Sequence, residues 1–494
     1  MLKSVAWTVG FRVLDRAAGV ISMLLLARLL LPEHFGIVAL ATSVLAFVEL
    51  LGALGLDTIL IQKKDPTREH FDTAWTIQLG IASICGLILA AAAIPASWFF
   101  NEPRITPIMY VLACATCVDG LQNIRIVEFR KQMRFDREFV YMSIRRLSGI
   151  AVTLTLAVIL KNEWALAIGI LSGKTIGVMV GYWMRPYVPR LTLVARGELL
   201  AKSWWLFMAN LVQFARARSS DILLGRLAGT AAVGAYALGS EMATMVSSEL
   251  VAPINRVALP EFSSIPTREG VLSRVDQVTG LVAAILTPAS FGLAACAGPI
   301  VEVFLGTRWA ATAQVLQILA LSGWISALGS NLGIGLLALG HYTANAVIHA
   351  VGAAILVPLL MLGAYYSGPQ GVAVATLAAN VLTVLIAIIA AHKLTGYSPL
   401  GFVRQCWRPT VAALLMYAIV KWELAYTATL HFASIEAVRL VVAVATGALI
   451  YPTALLLLWV MSGRPDSGER TAMTLAAKVL RRLRPRSSVA SCAP

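Results

Sequence analysis

Apolar blocks of about twenty residues, separated by short basic connectors, run through nearly the whole chain, and blocks of that length restrict it to helices that cross a bilayer. A transmembrane barrel would instead show strands of about ten residues with alternating character. Windows of about nineteen residues place about fourteen spans, beginning near Val5, Gly36, Thr73, Ile105, Val140, Trp164, Trp204, Ala231, Val278, Ala311, Thr343, Gly371, Thr410 and Ile435. The spacing predicts an all-α integral membrane protein. Its connectors leave no room for a soluble domain of catalytic size, so an enzyme is not expected. The expected organisation is helices 1–6 over 1–202, helices 7–12 over 203–394, two further helices over 395–463, and a basic tail over 464–494.

The formal charge of +15 invites a nucleic-acid reading, but the lysines and arginines collect in the connectors, where they meet anionic lipid headgroups instead. With the N-terminus in the cytoplasm, Lys63, Lys64 and Arg68, then Arg125, Arg130, Lys131, Arg134 and Arg137, then Arg185, Arg190, Arg196 and Lys202 all fall inside, as does the basic tail. The opposite side receives single cations at Arg104, Lys161, Arg226, Arg308 and Lys421. By the positive-inside rule both termini are cytoplasmic. The first apolar run is too long for a signal-peptide core and is expected to remain as the first span. Two amphipathic segments are expected near the inner surface: Glu128 to Phe139, as an interfacial helix or an ordinary loop, and Thr471 to Arg486, lying on anionic lipid.

A sparse internal repeat links two helical hairpins. Arg28-Leu29, Gly36, Ala39 and Leu40 recur as Arg226-Leu227, Gly234, Ala237 and Leu238 at one constant offset. Six spans lie between the copies, so both face the same way, as in parallel repeats that place a central site between two lobes.

Charges inside the apolar blocks are the candidate functional residues, because each costs about 2.5–3.5 kcal/mol on insertion scales. The first span carries Arg12, Asp15 and Arg16, the sixth Lys174, and the seventh Arg216, Arg218 and Asp221. Asp15 can neutralise either Arg12 or Arg16, and Asp221 can pair with Arg218, three residues away. Neither Lys174 nor Arg216 has an acid within its own helix. A cationic lumen that moves an anion follows from this count, against interhelical salt bridges that fix packing. The acids Glu49, Glu241 and Glu249 are placed either to bind a proton or Na⁺ or to act as counter-charges, whereas Asp57 and Asp119, near cytoplasmic ends, are expected to be solvated.

Three other patterns carry less. Gly169-Ile-Leu-Ser-Gly173-Lys174-Thr175 has one residue too few for a phosphate-binding loop and lies inside an apolar helix. Cys114 and Cys117 have redox spacing without the strand and helix context such a site needs, and read as packing residues. His341 and His349 stand two turns apart with no acid between them and do not form a metal motif.

Three stretches carry a resemblance to the polysaccharide-transporter branch of the MOP superfamily, the Wzx-like lipid-linked oligosaccharide flippases: WTVGFRVLDRAAGVISMLLLARLLLPEHFGIVAL, QNIRIVEFRKQMRF and ARARSSDILLGRLAGTAAVGAYALGSEM. The resemblance extends through Leu394, with two extra C-terminal helices. It implies two six-helix lobes around a V-shaped cavity, alternating access, a bacterial inner membrane, and a polyprenyl-pyrophosphate-linked glycan as cargo. The implied partners are that glycan, anionic lipids, and polysaccharide polymerase and export machinery, with no cofactor beyond a coupling proton or Na⁺. A MATE-like multidrug exporter shares the architecture but would expose acids and aromatics to cationic cargo. A non-transporting scaffold for glycan assembly would gain nothing from intramembrane charge.

Overall fold

A computed structural model describes residues 2–51, 56–63, 66–194, 203–429, 436–464 and 468. The side chains of Arg12 and Asp57 and the segment Thr471 to Arg486 lie outside the described residues. The described secondary structure is helical: α1 (Leu2–Leu29), α2 (Pro32–Leu51), α3 (Leu56–Gln62), α4 (Arg68–Phe100), α5 (Ile105–Gly120), α6 (Val127–Lys131), α7 (Phe135–Leu160) and α8 (Trp164–Met184). After a connector come α9 (Ser203–Leu227), α10 (Thr230–Ser263), α11 (Arg268–Ala295), α12 (Ala297–Phe304), α13 (Ala310–Ala338), α14 (Tyr342–Thr395), α15 (Pro399–Thr429) and α16 (Glu436–Met461).

Eight described helices are long and apolar enough to cross a membrane, nine if the bent pair Ile105–Gly120 and Ile124–Lys131 forms one span. This is a multi-pass membrane protein. The shortfall from fourteen has a chemical cause, because α1 and α9, which carry the candidate charges, are among the helices that do not pass. A second cause is α14, whose 54 residues hold two helices broken at Ser367 (φ −142°) and Gly368 (φ 52°). Gly368 takes a left-handed conformation that side chains resist, and Pro369 then restarts the helix.

The chain divides into two compact units, one formed by 1–238, 304–312 and 356–372, the other by 239–303, 313–355 and 373–494. The first takes in α9 and the start of α10. Within it α1 packs along α7, α4 along α5, and α7 along α8. The α7–α8 contact is set by small residues: Gly169, Gly173, Gly177 and Gly181 recur one turn apart, and a Cβ on Gly173 would lie 3.3 Å from the Gly149 Cα. Backbones that approach this closely gain dispersion, which the bilayer does not supply as hydrophobic drive.

In the second unit, Val275, Val282 and Leu286 of α11 pack with Leu328 and Leu332 of α13 and Ala391 of α14 in one apolar cluster. Phe291, Met416, Val420 and Tyr451 form another, joining α11, α15 and α16.

At the basic ends of the first unit, Arg125 lies over the rings of Phe71 and Tyr187, 5.4 and 5.6 Å from their centroids, and pairs with Glu128, which also holds Arg185. Tyr187 donates to Asp72, and burial followed by that hydrogen bond pushes its hydroxyl above the ordinary tyrosine range. Phe129, in the segment read as an interfacial helix or a loop, is buried, while Met133 sits exposed at a left-handed turn (φ 57°). The Phe129 ring therefore anchors the segment inward, and it does not face lipid.

Candidate functional site

Four helices of the first unit, α1, α2, α7 and α8, enclose a cavity of about 550 Å³. Its charged lining is Asp15, Arg145, Arg146 and Lys174, and its apolar lining includes Met23, Leu26, Phe35 and Leu166. Three cations thus face the space against one acid. A volume of this order holds the head of a large ligand rather than the whole of it.

Missing side chains on the helices make room for the charged ones. A Cβ on Gly177 would fall 2.9 Å from the Arg145 Cδ, so the Arg145 stem crosses α8 where glycine leaves space. Its guanidinium then donates to Asp119 on α5 at 2.9 Å. Arg146, the next residue, projects toward α1, where it lies 3.3 Å from the Cβ position of Gly19 and pairs with Asp15 at 3.1 Å. Lys174 is mostly buried and reaches Glu49 on α2 at 3.3 Å and Asp119 at 3.5 Å. Asp119 is thereby shared between two cations from two helices.

Several sequence expectations change here. Asp15 also takes a partner from another helix, Arg146, because α1 turns that face toward α7. Lys174, which lacks an acid on its own helix, takes two from others. Asp119 is not simply solvated: it is 30% exposed and holds two ion pairs. Arg16 is half-buried on α1. On α9, Arg218 pairs with Asp221 at 3.3 Å as expected, and Asp221, 7% exposed, also accepts from Ser43 of α2 at 3.3 Å. Arg216 is partly buried on the same helix, and the described cavity lining does not include it, Arg218 or Asp221. Glu241 and Glu249 are exposed on α10, each with an interaction of its own. Cys117 packs over Gly86, whose Cβ would lie 2.3 Å from its sulfur.

Arg145 and Arg146 were not singled out in the sequence. The signal was present, since two adjacent arginines fall inside the fifth apolar block.

The fold is one shared with two solved membrane proteins. The chain superposes on a lipid II flippase MurJ in an inward closed conformation with a TM-score of 0.70 at 15% identity, covering 93% of this chain and 99% of that one. An inward-facing MATE-family multidrug resistance transporter of the MOP superfamily matches with a TM-score of 0.58 at 13% identity, over 81% and 94% of the two chains. The chain belongs to the polysaccharide biosynthesis protein family, whose family model matches residues 25–314. It is similar to the lipopolysaccharide biosynthesis protein WzxC of Escherichia coli strain K12, at 22% identity over 83% of this chain and 84% of that protein. It is also similar to the succinoglycan biosynthesis transport protein ExoT of Rhizobium meliloti strain 1021, at 25% identity over 92% and 93%.

Proposed function

We propose that the protein moves a polyprenyl-pyrophosphate-linked oligosaccharide across the bacterial inner membrane by alternating access, with about fourteen spans in two lobes and both termini cytoplasmic. The observation that carries this reading is the cavity lining of three cations and one acid, with each cation already held by a carboxylate from a neighbouring helix. A diphosphate offers more charge and more acceptor oxygens than a carboxylate, and arginine grips it through paired N–H groups. It therefore displaces Asp119 from Arg145 and Asp15 from Arg146. Once it leaves, the carboxylates return to the guanidinium groups and the empty site is charge-balanced again. Carboxylates as internal placeholders lower the cost of an empty cationic cavity in low dielectric.

Arg12, Arg16, Arg216 and Arg218 are assigned to the same cationic path, with Asp221 as counter-charge. Glu241 and Glu249, both exposed, are assigned to binding a proton or Na⁺ in one state of the cycle. A lining dominated by cations disfavours the cationic drugs of multidrug exporters. Family membership and similarity to WzxC and ExoT support a role in polysaccharide assembly, with polymerase and export machinery as partners and anionic lipid around the basic connectors.

Vesicles containing the purified protein test the reading through movement of a labelled lipid-linked sugar. The double variant Arg145→Gln/Arg146→Gln is expected to slow movement at least about 100-fold at unchanged protein abundance, the scale of two lost charge-assisted grips. Unchanged movement would remove these residues from the site. An imposed pH or Na⁺ gradient is expected to change the rate in wild type and to have no effect when Glu241 and Glu249 are both Gln.

A further inference from the structure

The sequence repeat reappears as a contact. Helix α1 ends at Leu29 and α9 at Leu227, while α2 begins at Pro32 and α10 at Thr230, so the two helical hairpins share their boundaries at the offset that relates Gly36 to Gly234. The two copies touch each other reciprocally. A Cβ built on Gly36 would fall 1.8 Å from the Thr230 carbonyl oxygen, and one on Gly234 would fall 1.9 Å from the Pro32 carbonyl oxygen. Pro32 and Thr230 are themselves repeat partners. Residue for residue, this is the contact of a two-fold axis, in which i meets j and j meets i.

The flanking contacts follow the same rule. Arg28 Nε donates to the Phe304 carbonyl at 3.1 Å, and its repeat partner Arg226 donates through Nη1 to the Phe99 carbonyl at 2.9 Å. One residue earlier in each copy, the Ala27 carbonyl accepts from the Trp309 indole at 2.7 Å, while Gly225 packs under Phe100, whose ring carbon lies 3.0 Å from the Cβ position. Phe99 and Phe100 close α4, and Phe304 and Trp309 bracket the turn after α12, so each arginine bonds a backbone carbonyl at the end of another helix.

We propose that these paired contacts form a single two-armed latch that closes the outer side of the protein and opens only when both arms release together. This rests on the alternating-access reading above, and the outer side is the one that reading assigns to the α1–α2 turn. Two glycines make the crossing tight because nothing but hydrogen fits between the backbones. Two exposed arginines set how readily it lets go, since each exchanges one carbonyl for water. Because the arms are equivalent by the repeat, substitutions at repeat partners are expected to match in effect, and a substitution in each arm should multiply.

The experiment reads opening without substrate, so its failure is separable from failure of the transport assignment. In a background with the six native cysteines replaced, Ser22→Cys, which lines the cavity, is labelled by a membrane-impermeant thiol reagent added to the outside of intact cells. Arg28→Gln and Arg226→Gln are each expected to raise the labelling rate about threefold, the order of an exposed charge-assisted hydrogen bond, and the double variant about ninefold. Gly36→Ala and Gly234→Ala are expected to raise it more than tenfold and to within about twofold of each other. The arginine variants keep the test decisive if the alanines do not reach the membrane. The proposal is overturned if Arg28→Gln and Arg226→Gln differ by more than about fivefold, or if the double variant labels no faster than the single ones.

Discussion

The two units solve the problem of polar groups in an apolar solvent differently. In the first, ion pairs join the helices around the cavity: Arg145 with Asp119, Arg146 with Asp15, and Lys174 with Glu49 and Asp119. In the second, the described side-chain contacts between helices away from their ends are neutral: Asn380 donates to Ser322 at 2.8 Å, Gln317 to Tyr417 at 2.9 Å, and Trp324 to Thr287 at 2.9 Å. The ion pairs described there, Arg274 with Glu261 and Arg439 with Glu436, sit near helix ends. A neutral hydrogen bond between membrane helices contributes roughly 0.6 kcal/mol and rarely more than about 1.7, without the desolvation cost of a charge. Packing alone is served by the second arrangement. The first makes sense if an incoming anion exchanges with the carboxylates.

The largest expected effect comes from reversing one ion pair. Asp119→Arg combined with Arg145→Asp keeps a salt bridge between the two positions, leaves Lys174 to Glu49, and moves the cation off α7. If the pair only fixes packing, the swap restores both abundance and export. On the exchange account, abundance recovers while export stays down at least about 100-fold, as expected when a charge-assisted grip is misplaced. Quantitative membrane blots beside an export assay separate the two.

A smaller effect is expected in the neutral unit. Asn380→Leu or Gln317→Leu should each lower stability by about 1 kcal/mol, with transport per molecule within about twofold of wild type. Loss of transport at normal stability would move part of the site into that unit and blur the contrast.

Much of the first unit was legible in the sequence, for identifiable reasons. Apolar blocks report helices directly, because a bilayer demands internal hydrogen bonding over a fixed length. The repeat was legible as five matched residues, and Gly36 and Gly234 prove to be its structural centre. Lys174 was legible as a charge out of place, but not its partners, since Glu49 lies 125 residues away on another helix. Asp119 was misread because distance from a helix end says nothing about which neighbours face it. Arg145 and Arg146 lie inside the fifth block, where an adjacent basic pair carries the same cost as the other charges within spans.

The smallest expected effect marks the limit of ionic contributions outside the cavity. Glu102, in the turn before α5, accepts from Arg104 at 3.0 Å, and that hydrogen bond, against some burial, holds its carboxyl below the usual carboxylate range. A depressed carboxylate contributes stability above its ordinary titration range and loses it as pH falls through the depressed value. Glu102→Gln should therefore lower Tm by no more than about 2 °C at neutral pH, with the difference vanishing in strong acid, as scanning calorimetry of the purified protein would record.

The central claim is that carboxylates and a diphosphate compete for the same guanidinium groups, and affinity for a polyprenyl diphosphate in nanodiscs tests it most directly. Arg145→Gln removes the grip and should weaken binding at least about tenfold, whereas Asp119→Asn removes the competitor and should tighten it by a similar factor. Opposite signs for the two members of one ion pair are the expected result. Equal weakening by both, at normal protein stability, would contradict the account and leave the pair as a packing contact.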